Sequence, residues 1–149
     1  MTGGGANVWA KEDNMQFVWK KASGDITLAA DVAFDKATQG AIEHRKAMLM
    51  IRQSLDPNSA YADASLHGNG MTALQWRDAP NEISYEIHAN ADAPRRLRIE
   101  KRGSYFSMSI CSSERPNTSE RVPFEARRKN SSCTSRSRAS SKPVWKLRP

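Results

Sequence analysis

Hydrophobic and polar residues alternate along much of the first 125 residues of the chain. The clearest case is the segment 25–34, where every second residue is apolar and faces one side: Ile26, Leu28, Ala30, Val32 and Phe34. A period of two indicates a β-strand with one buried face. Turn residues recur about every ten positions, and the short connections favour antiparallel neighbours. The pattern therefore predicts an all-β domain.

The same pattern divides the body of the chain into strands and predicts no helix. The strands are expected over 15–20, 25–34, 46–53, 60–67, 71–77, 82–88, 96–102, 105–111 and 121–124. The segment 46–53 is almost continuously apolar, which is typical of a strand covered on both faces. Between two strands, Asn69-Gly70 predicts a hairpin with a type I′ turn. The expected architecture is a β-sandwich of two antiparallel sheets.

Charge divides the chain into a body and a tail. The 149 residues carry a formal charge of +7, but residues 1–125 hold 15 Lys and Arg against 16 Asp and Glu. Residues 126–149 hold eight basic residues, six serines and no acidic residue. Such a composition cannot bury enough apolar surface to offset chain entropy, so the tail is predicted to be disordered. Its basicity suggests either a solvated segment or an arm that binds nucleic acid.

Several function classes find no support in the sequence. No apolar run is long enough to cross a bilayer, and the first residues lack the basic and apolar regions of a signal peptide. Two cysteines, Cys111 and Cys133, are too few for a disulfide framework, and no Cys/His spacing indicates zinc. No nucleophile elbow, phosphate loop or compact pair of carboxylates is present. We therefore expect a protein that is not an enzyme and that holds no metal or cofactor.

Aromatic and polar residues of one predicted hairpin are the best candidates for a binding site. An exposed aromatic ring on a sheet stacks on the apolar face of a sugar, and neighbouring polar groups hydrogen-bond its hydroxyls. The candidate ligand-binding residues are Arg52, Tyr61, Asp63, His67, Trp76 and Arg77. The competing interpretation is that the aromatic residues pack in the core.

Three longer stretches carry a resemblance to a known family. They are FVWKKASGDITLAADVAF, HRKAMLMIRQSLDPNSAYADASLHGNG and RLRIEKRGSYFSMSI, and the second is the most specific. Over residues 4–125 the chain resembles the concanavalin A-like domain of bacterial proteins that also carry TolB-like propeller repeats and are labelled as Tol-type biopolymer-transport proteins. Related concanavalin A-like domains are appended to glycosidases.

The resemblance implies a jelly-roll sandwich and a non-catalytic accessory module that binds carbohydrate or another cell-surface ligand. It also implies a periplasmic or extracellular location for intact members, and it supplies no ligand residues. Two domains of the chain follow: a sandwich over 4–125 and a basic tail over 126–149. Where the family has a last apolar strand, this chain has Ala126-Arg127-Arg128-Lys129. We expect an incomplete sandwich, and a frame-shifted C-terminus is one hypothesis for the tail.

Other functions stay open beside carbohydrate binding. The first alternative is a structural or protein-interaction domain that packs beside an adjoining propeller. Nucleic-acid binding by the basic tail is a weaker alternative, and a glycosidase is weaker still because the sequence offers no carboxylate pair. No membrane insertion is expected.

Overall fold

A computed structural model of the chain describes residues 3–35, 42–89, 96–111 and 135–139. Within these ranges there are ten strands and no α-helix, so no helix there is suited to crossing a membrane. The predicted all-β fold class is confirmed. The strands are β1 (Asn7–Trp9), β2 (Glu12–Asn14), β3 (Ile26–Asp31), β4 (Lys46–Arg52), β5 (Tyr61–His67), β6 (Thr72–Arg77), β7 (Tyr85–His88), β8 (Arg96–Arg102), β9 (Tyr105–Cys111) and β10 (Ser135–Ala139).

Two four-stranded antiparallel sheets face each other. The front sheet has the strand order β4-β5-β6-β7, and the back sheet has the order β10-β9-β8-β3. Their facing sides form one apolar core, because residues from both sheets are buried against each other. The buried members are Ala62, Ala64, Leu66 and Leu74 from the front sheet and Leu97, Ile99, Phe106, Met108 and Ile110 from the back sheet. The predicted β-sandwich is therefore confirmed.

The N-terminal hairpin β1–β2 forms a third, two-stranded sheet that the sequence did not predict. It covers the outer face of the front sheet, where Val8 is buried together with Met50 and Tyr61. The Asp13 backbone N–H donates to the Pro57 carbonyl at 2.8 Å. As a result, β5 is covered on both faces and each of its seven residues is buried.

Pairing across the front sheet assigns each β5 side chain to one face. Ala62, Ala64 and Leu66 belong to the core, and each pairs with a β6 residue: Trp76, Leu74 and Thr72. Side chains alternate along a strand, so Tyr61, Asp63, Ser65 and His67 lie on the outer face. Trp76 is therefore on the opposite face of the hairpin from Tyr61 and Asp63.

The predicted strand over 15–20 is wrong, since these residues form no strand. Met15 and Phe17 still pack against the Val8 cluster, whereas Trp19 is 57% exposed. The alternation thus reflects an extended segment with one apolar side that rests on the cluster. An alternating pattern shows which side of a segment is buried, but it does not show whether the backbone pairs with another strand.

The predicted type I′ turn at Asn69-Gly70 is also wrong. That turn needs positive φ at both residues, but only Gly70 has it, with φ of 95°. The Gly70 N–H donates to the His67 carbonyl at 3.0 Å, and the His67 N–H donates to the Met71 carbonyl at 2.8 Å. These bonds define a three-residue loop, Gly68-Asn69-Gly70, whose last residue takes the left-handed conformation.

One strand comes from the segment for which the sequence predicts disorder. The backbone of β10 pairs with β9, from Ser135 opposite Ile110 to Ala139 opposite Phe106. The rest of the segment 126–149 lies outside the described residues, as does the strand predicted over 121–124. Cys111, at the end of β9, is disulfide-bonded.

We predict that Gly70→Ala destabilises the fold by about 1–2 kcal/mol, because a side chain disfavours the left-handed conformation by that amount. Urea unfolding followed by tryptophan fluorescence measures the change. Gly4→Ala is the matched control, since a Cβ at Gly4 meets nothing within 4 Å and Gly4 has no positive φ. Equal stability of the Gly70 variant and the parent chain would contradict the loop assignment.

Candidate functional site

Polar side chains form a row across the outer face of the front sheet. Asp63 of β5 pairs with Gln75 of β6, and Gln75 pairs with Glu86 of β7. Residues paired in this way share a face, so the three side chains stand side by side. We call Asp63, Gln75 and Glu86 the polar row. It runs from the covered centre of the sheet to its edge at β7.

Hydrogen bonds link the polar row to its neighbours. The Gln75 amide Nε2 donates to Glu86 Oε2 at 2.8 Å. The Lys46 ammonium donates to Gln75 Oε1 at 3.3 Å and to the Val8 carbonyl at 2.8 Å. At the far end, His88 Nε2 lies 2.9 Å from Glu86 Oε1. One connected network therefore reaches from β1 to β7.

Asp63 is the unpartnered end of the row. Its side chain is fully buried, and neither carboxylate oxygen has a hydrogen-bond partner in the structure. Burial raises the pKa of the Asp63 carboxyl well above its ordinary value, and the Lys46 charge offsets only part of that effect. Burial also lowers the pKa of Lys46 itself. This corner of the sheet thus holds polar groups whose hydrogen-bonding capacity is unused.

Glu86 and His88 form the solvent-facing end of the row. The Glu86 side chain is 29% exposed and that of His88 is 55% exposed. Burial alone would raise the pKa of Glu86, but hydrogen bonds from His88 and Gln75 outweigh it, and the net pKa is lowered. Glu86 is therefore an ionised acceptor that is held in place and partly open to solvent.

Trp9 brings an aromatic ring to the same face. Its ring lies 5.4 Å from the Lys46 ammonium, a cation–π distance, and the ring is half-buried. Lys46 in turn contacts Gln75, which contacts Glu86. The Trp9 ring and the Glu86 carboxylate are thus held on one face by two intervening side chains.

A buried cluster centred on Arg77 fixes the hairpin that carries Trp9. The fully buried Arg77 guanidinium donates to both Asp13 carboxylate oxygens, at 2.8 and 3.2 Å. It also donates to the carbonyls of Ala10 at 3.1 Å and Ser59 at 2.9 Å. Asp13 also forms an ion pair with a second arginine, since Arg52 Nη2 lies 3.4 Å from Asp13 Oδ2. The cluster joins β2, the β1–β2 turn and the loop before β5 to the end of β6.

The structure separates the six residues that the sequence proposed as ligand-binding. Arg52, Tyr61 and Arg77 belong to the buried cluster, where the Tyr61 hydroxyl donates to Ser84 Oγ at 2.9 Å and Arg77 lies 5.0 Å above the Tyr61 ring. These three side chains therefore hold the fold together. Their burial leaves no surface on which a sugar ring could stack.

The other three proposed residues lie in different surroundings. Asp63 begins the polar row, and His67 is buried farther along the same face of β5. Trp76 lies on the opposite face, where it is partly exposed and stacks on Tyr85 with ring centroids 5.8 Å apart. The hairpin does not bring Trp76 together with Asp63, because the two side chains point away from each other.

Sequence analysis missed Trp9, Lys46, Gln75 and Glu86 as members of one site. No two carboxylates lie close together along one strand, whereas Asp63 and Glu86 share a face across three strands. Finding this site requires the antiparallel register between β5 and β6, and the predicted two-residue loop at Asn69-Gly70 shifts that register by one residue. Nothing in the sequence indicated that β1 returns over the front sheet.

No family model, curated protein or solved structure matches the chain. Among the residues that the structure describes, no three His, Cys, Asp or Glu side chains gather as metal ligands would.

We predict that Arg77→Met lowers the free energy of unfolding by about 3–5 kcal/mol, because it leaves the buried Asp13 carboxylate without its main partner. Arg98→Met is the control: the Arg98 side chain is 46% exposed and pairs with Glu100 at the surface. That variant should change the free energy by less than about 1 kcal/mol. Urea unfolding compares them, and equal effects would contradict the central role of Arg77.

A second prediction concerns acid stability. Burial first, and then the Lys46 charge, lowers the pKa of His67 from 6.5 to about 4. The unfolded chain takes up this proton near pH 6.5, so the stability that His67 contributes is complete above that pH. It is lost as pH falls toward 4. The charged and titratable groups that act on His67 are Lys46, Glu86, His44 and His88.

Between pH 6.5 and pH 4 the urea midpoint of the parent chain should therefore fall more, or rise less, than that of His67→Gln, because Asp63, whose pKa is raised, has the opposite pH dependence in both chains. His44→Gln is the control, because it removes an exposed histidine outside the polar row and should change the slope much less than His67→Gln. An identical pH slope in the parent chain and the His67 variant would show that His67 is not held neutral.

Proposed function

We propose that the domain is a non-catalytic carbohydrate-binding module whose ligand lies against Trp9 and the open end of the polar row. The observation that carries this proposal is the chain of contacts from Trp9 through Lys46 and Gln75 to Glu86. It combines an aromatic ring with fixed polar groups on one face. Sugar recognition needs this combination, since a pyranose has an apolar face and a rim of hydroxyl groups.

Each group has a role that follows from its surroundings. The half-buried Trp9 ring offers a stacking surface, and Glu86 accepts hydrogen bonds from ligand hydroxyls. Gln75 is buried and bonded to both Lys46 and Glu86, so it positions these two side chains. Because these side chains are already held in place, they lose little conformational entropy when a ligand binds.

A binding role fits the row better than hydrolysis does. A glycosidase needs two carboxyl groups that reach opposite sides of one glycosidic bond. Asp63 is fully buried under the N-terminal hairpin, and Gln75 separates it from Glu86. Only one of the two carboxyl groups faces solvent, which supports recognition without bond cleavage.

Thermal unfolding with a panel of soluble polysaccharides tests the proposal. We expect one class of glycan to raise the melting temperature of the full chain, as any ligand of the folded state does. Trp9→Ala should abolish that shift. Trp19→Ala is the matched control, because Trp19 is exposed but belongs to the segment after β2.

Two results would overturn the proposal. One is a cooperative melt that no glycan in the panel shifts. The other is loss of the shift in the Trp19 variant while the Trp9 variant, shown by circular dichroism to be folded, keeps it.

The alternative function, a structural or protein-interaction domain, rests on a different feature. Ile83, Tyr85 and Ile87 lie at or beside the edge strand β7 and are 50%, 44% and 39% exposed. Large apolar side chains grouped at a sheet edge suit contact with another protein better than contact with a glycan. The resemblance to domains beside TolB-like propellers is in keeping with such a role. Nucleic-acid binding, the weaker alternative, would depend on the segment 126–149. The structure describes only the backbone of β10 in that segment.

A further inference from the structure

Strand β7 is the last strand of the front sheet in the part of the chain that the structure describes. Among the described residues, β7 pairs only with β6. The Ala89 N–H donates to the Thr72 carbonyl at 2.9 Å, which marks Thr72 and Ala89 as a hydrogen-bonded pair. Hydrogen-bonded pairs alternate along an antiparallel ladder, so Ile87 and Tyr85 also bond toward β6. The N–H and C=O groups of Glu86 and His88 therefore point outward.

We propose that β7 pairs with β7 of a second copy of this chain, antiparallel, with Ile87 on the two-fold axis. In that register Glu86 faces His88 of the other copy, and His88 faces Glu86. Both residues have outward backbone groups, so the two pairs form four backbone hydrogen bonds. The front sheets then join into one eight-stranded sheet, and a symmetric contact of this kind closes on itself as a dimer.

The side chains of β7 are complementary to themselves in this register. Glu86 and His88 lie on the outer face, and each meets the other type across the axis, which pairs a carboxylate with an imidazole. On the core-facing side, Ile87 meets its own copy at the close, non-hydrogen-bonded position. Tyr85 falls opposite Ala89 of the second copy, where a small residue leaves room for the ring. A shift by one residue would place Ile87 against Glu86 and lose both matches.

The composition of β7 supports this choice of partner. Edge strands of monomers are commonly protected by charged side chains, proline or a bulge, and Tyr85–His88 contains no lysine, proline or bulge. Its one carboxylate, Glu86, meets an imidazole in the proposed register and does not repel the second copy. Its apolar residues, Tyr85 at 44% and Ile87 at 39%, are among the exposed large hydrophobic side chains of the chain. Pairing across the axis would remove them from water together with the open backbone edge.

Analytical ultracentrifugation of the full chain tests the proposal directly. We expect a discrete species of twice the 16.6 kDa chain mass. Ile87→Lys places two like charges against each other on the axis, which should weaken the dimer by at least ~100-fold and leave a folded monomer. Ile83→Lys is the matched control, because Ile83 is also exposed but precedes the paired strand. That variant should remain a dimer.

A monomeric parent chain over the whole concentration range would overturn the proposal, and so would a polydisperse aggregate without a discrete dimer. A dimer that survives Ile87→Lys but dissociates with Ile83→Lys would place the contact elsewhere. Circular dichroism of both variants checks that they fold. The carbohydrate test uses Trp9 and reads a different property, so either proposal can fail while the other holds.

Discussion

The buried ion pair between Arg77 and Asp13 is the interaction on which the front sheet depends. Both side chains are fully withdrawn from solvent, and Arg77 Nη2 lies 2.8 Å from Asp13 Oδ1. Charges removed from water in this way are tolerated only when hydrogen bonds satisfy them, and Arg77 meets that condition through three carbonyls of two loops. Because Asp13 belongs to β2 and Arg77 to β6, the pair fastens the N-terminal hairpin to the sheet.

The environment of the polar row follows from that attachment. With the core on one side and the hairpin on the other, β5 is buried throughout, so Asp63 loses its hydration. The carboxyl then has a raised pKa, which the Lys46 charge and the neighbouring Ser65 hydroxyl offset only in part. A buried acceptor of this kind opposes folding at neutral pH, which makes it costly as a purely structural element. The proposed sugar site would use the part of this network that reaches solvent.

Much of the fold could be predicted from the sequence, because strand alternation reports burial directly. The bounds of β8 and β9 agree with the prediction, and β4 differs from it by one residue. The hairpin β1–β2 could not be predicted, since strands of three residues carry too little pattern. The turn at Gly70 was misassigned because Asn-Gly is typical of a two-residue type I′ loop, whereas here only Gly70 takes the left-handed conformation, at the end of a three-residue loop.

The site was harder to predict than the fold, for a physical reason. Residue type alone does not show whether Arg77 or Tyr61 faces solvent or a buried partner. For Arg77 the answer depends on a contact with Asp13, 64 residues away, and for Tyr61 on a hydrogen bond to Ser84. Trp76 and Asp63 seemed to belong together because they lie on one hairpin, yet the register assigns them to opposite faces. The proposed site therefore depends on pairing between strands, which a pattern along one strand does not contain.

Amide hydrogen exchange of the full chain measures most directly whether the hairpin is an integral part of the front sheet. We expect amides in 7–14 that hydrogen-bond within the hairpin or to Pro57 to be protected as strongly as those of β5 and β6, and to lose protection with them as denaturant is added. That result would show that the Arg77–Asp13 pair makes one cooperative unit of the hairpin and the sheet. Rapid exchange over 7–14 beside a protected β5 would contradict this conclusion.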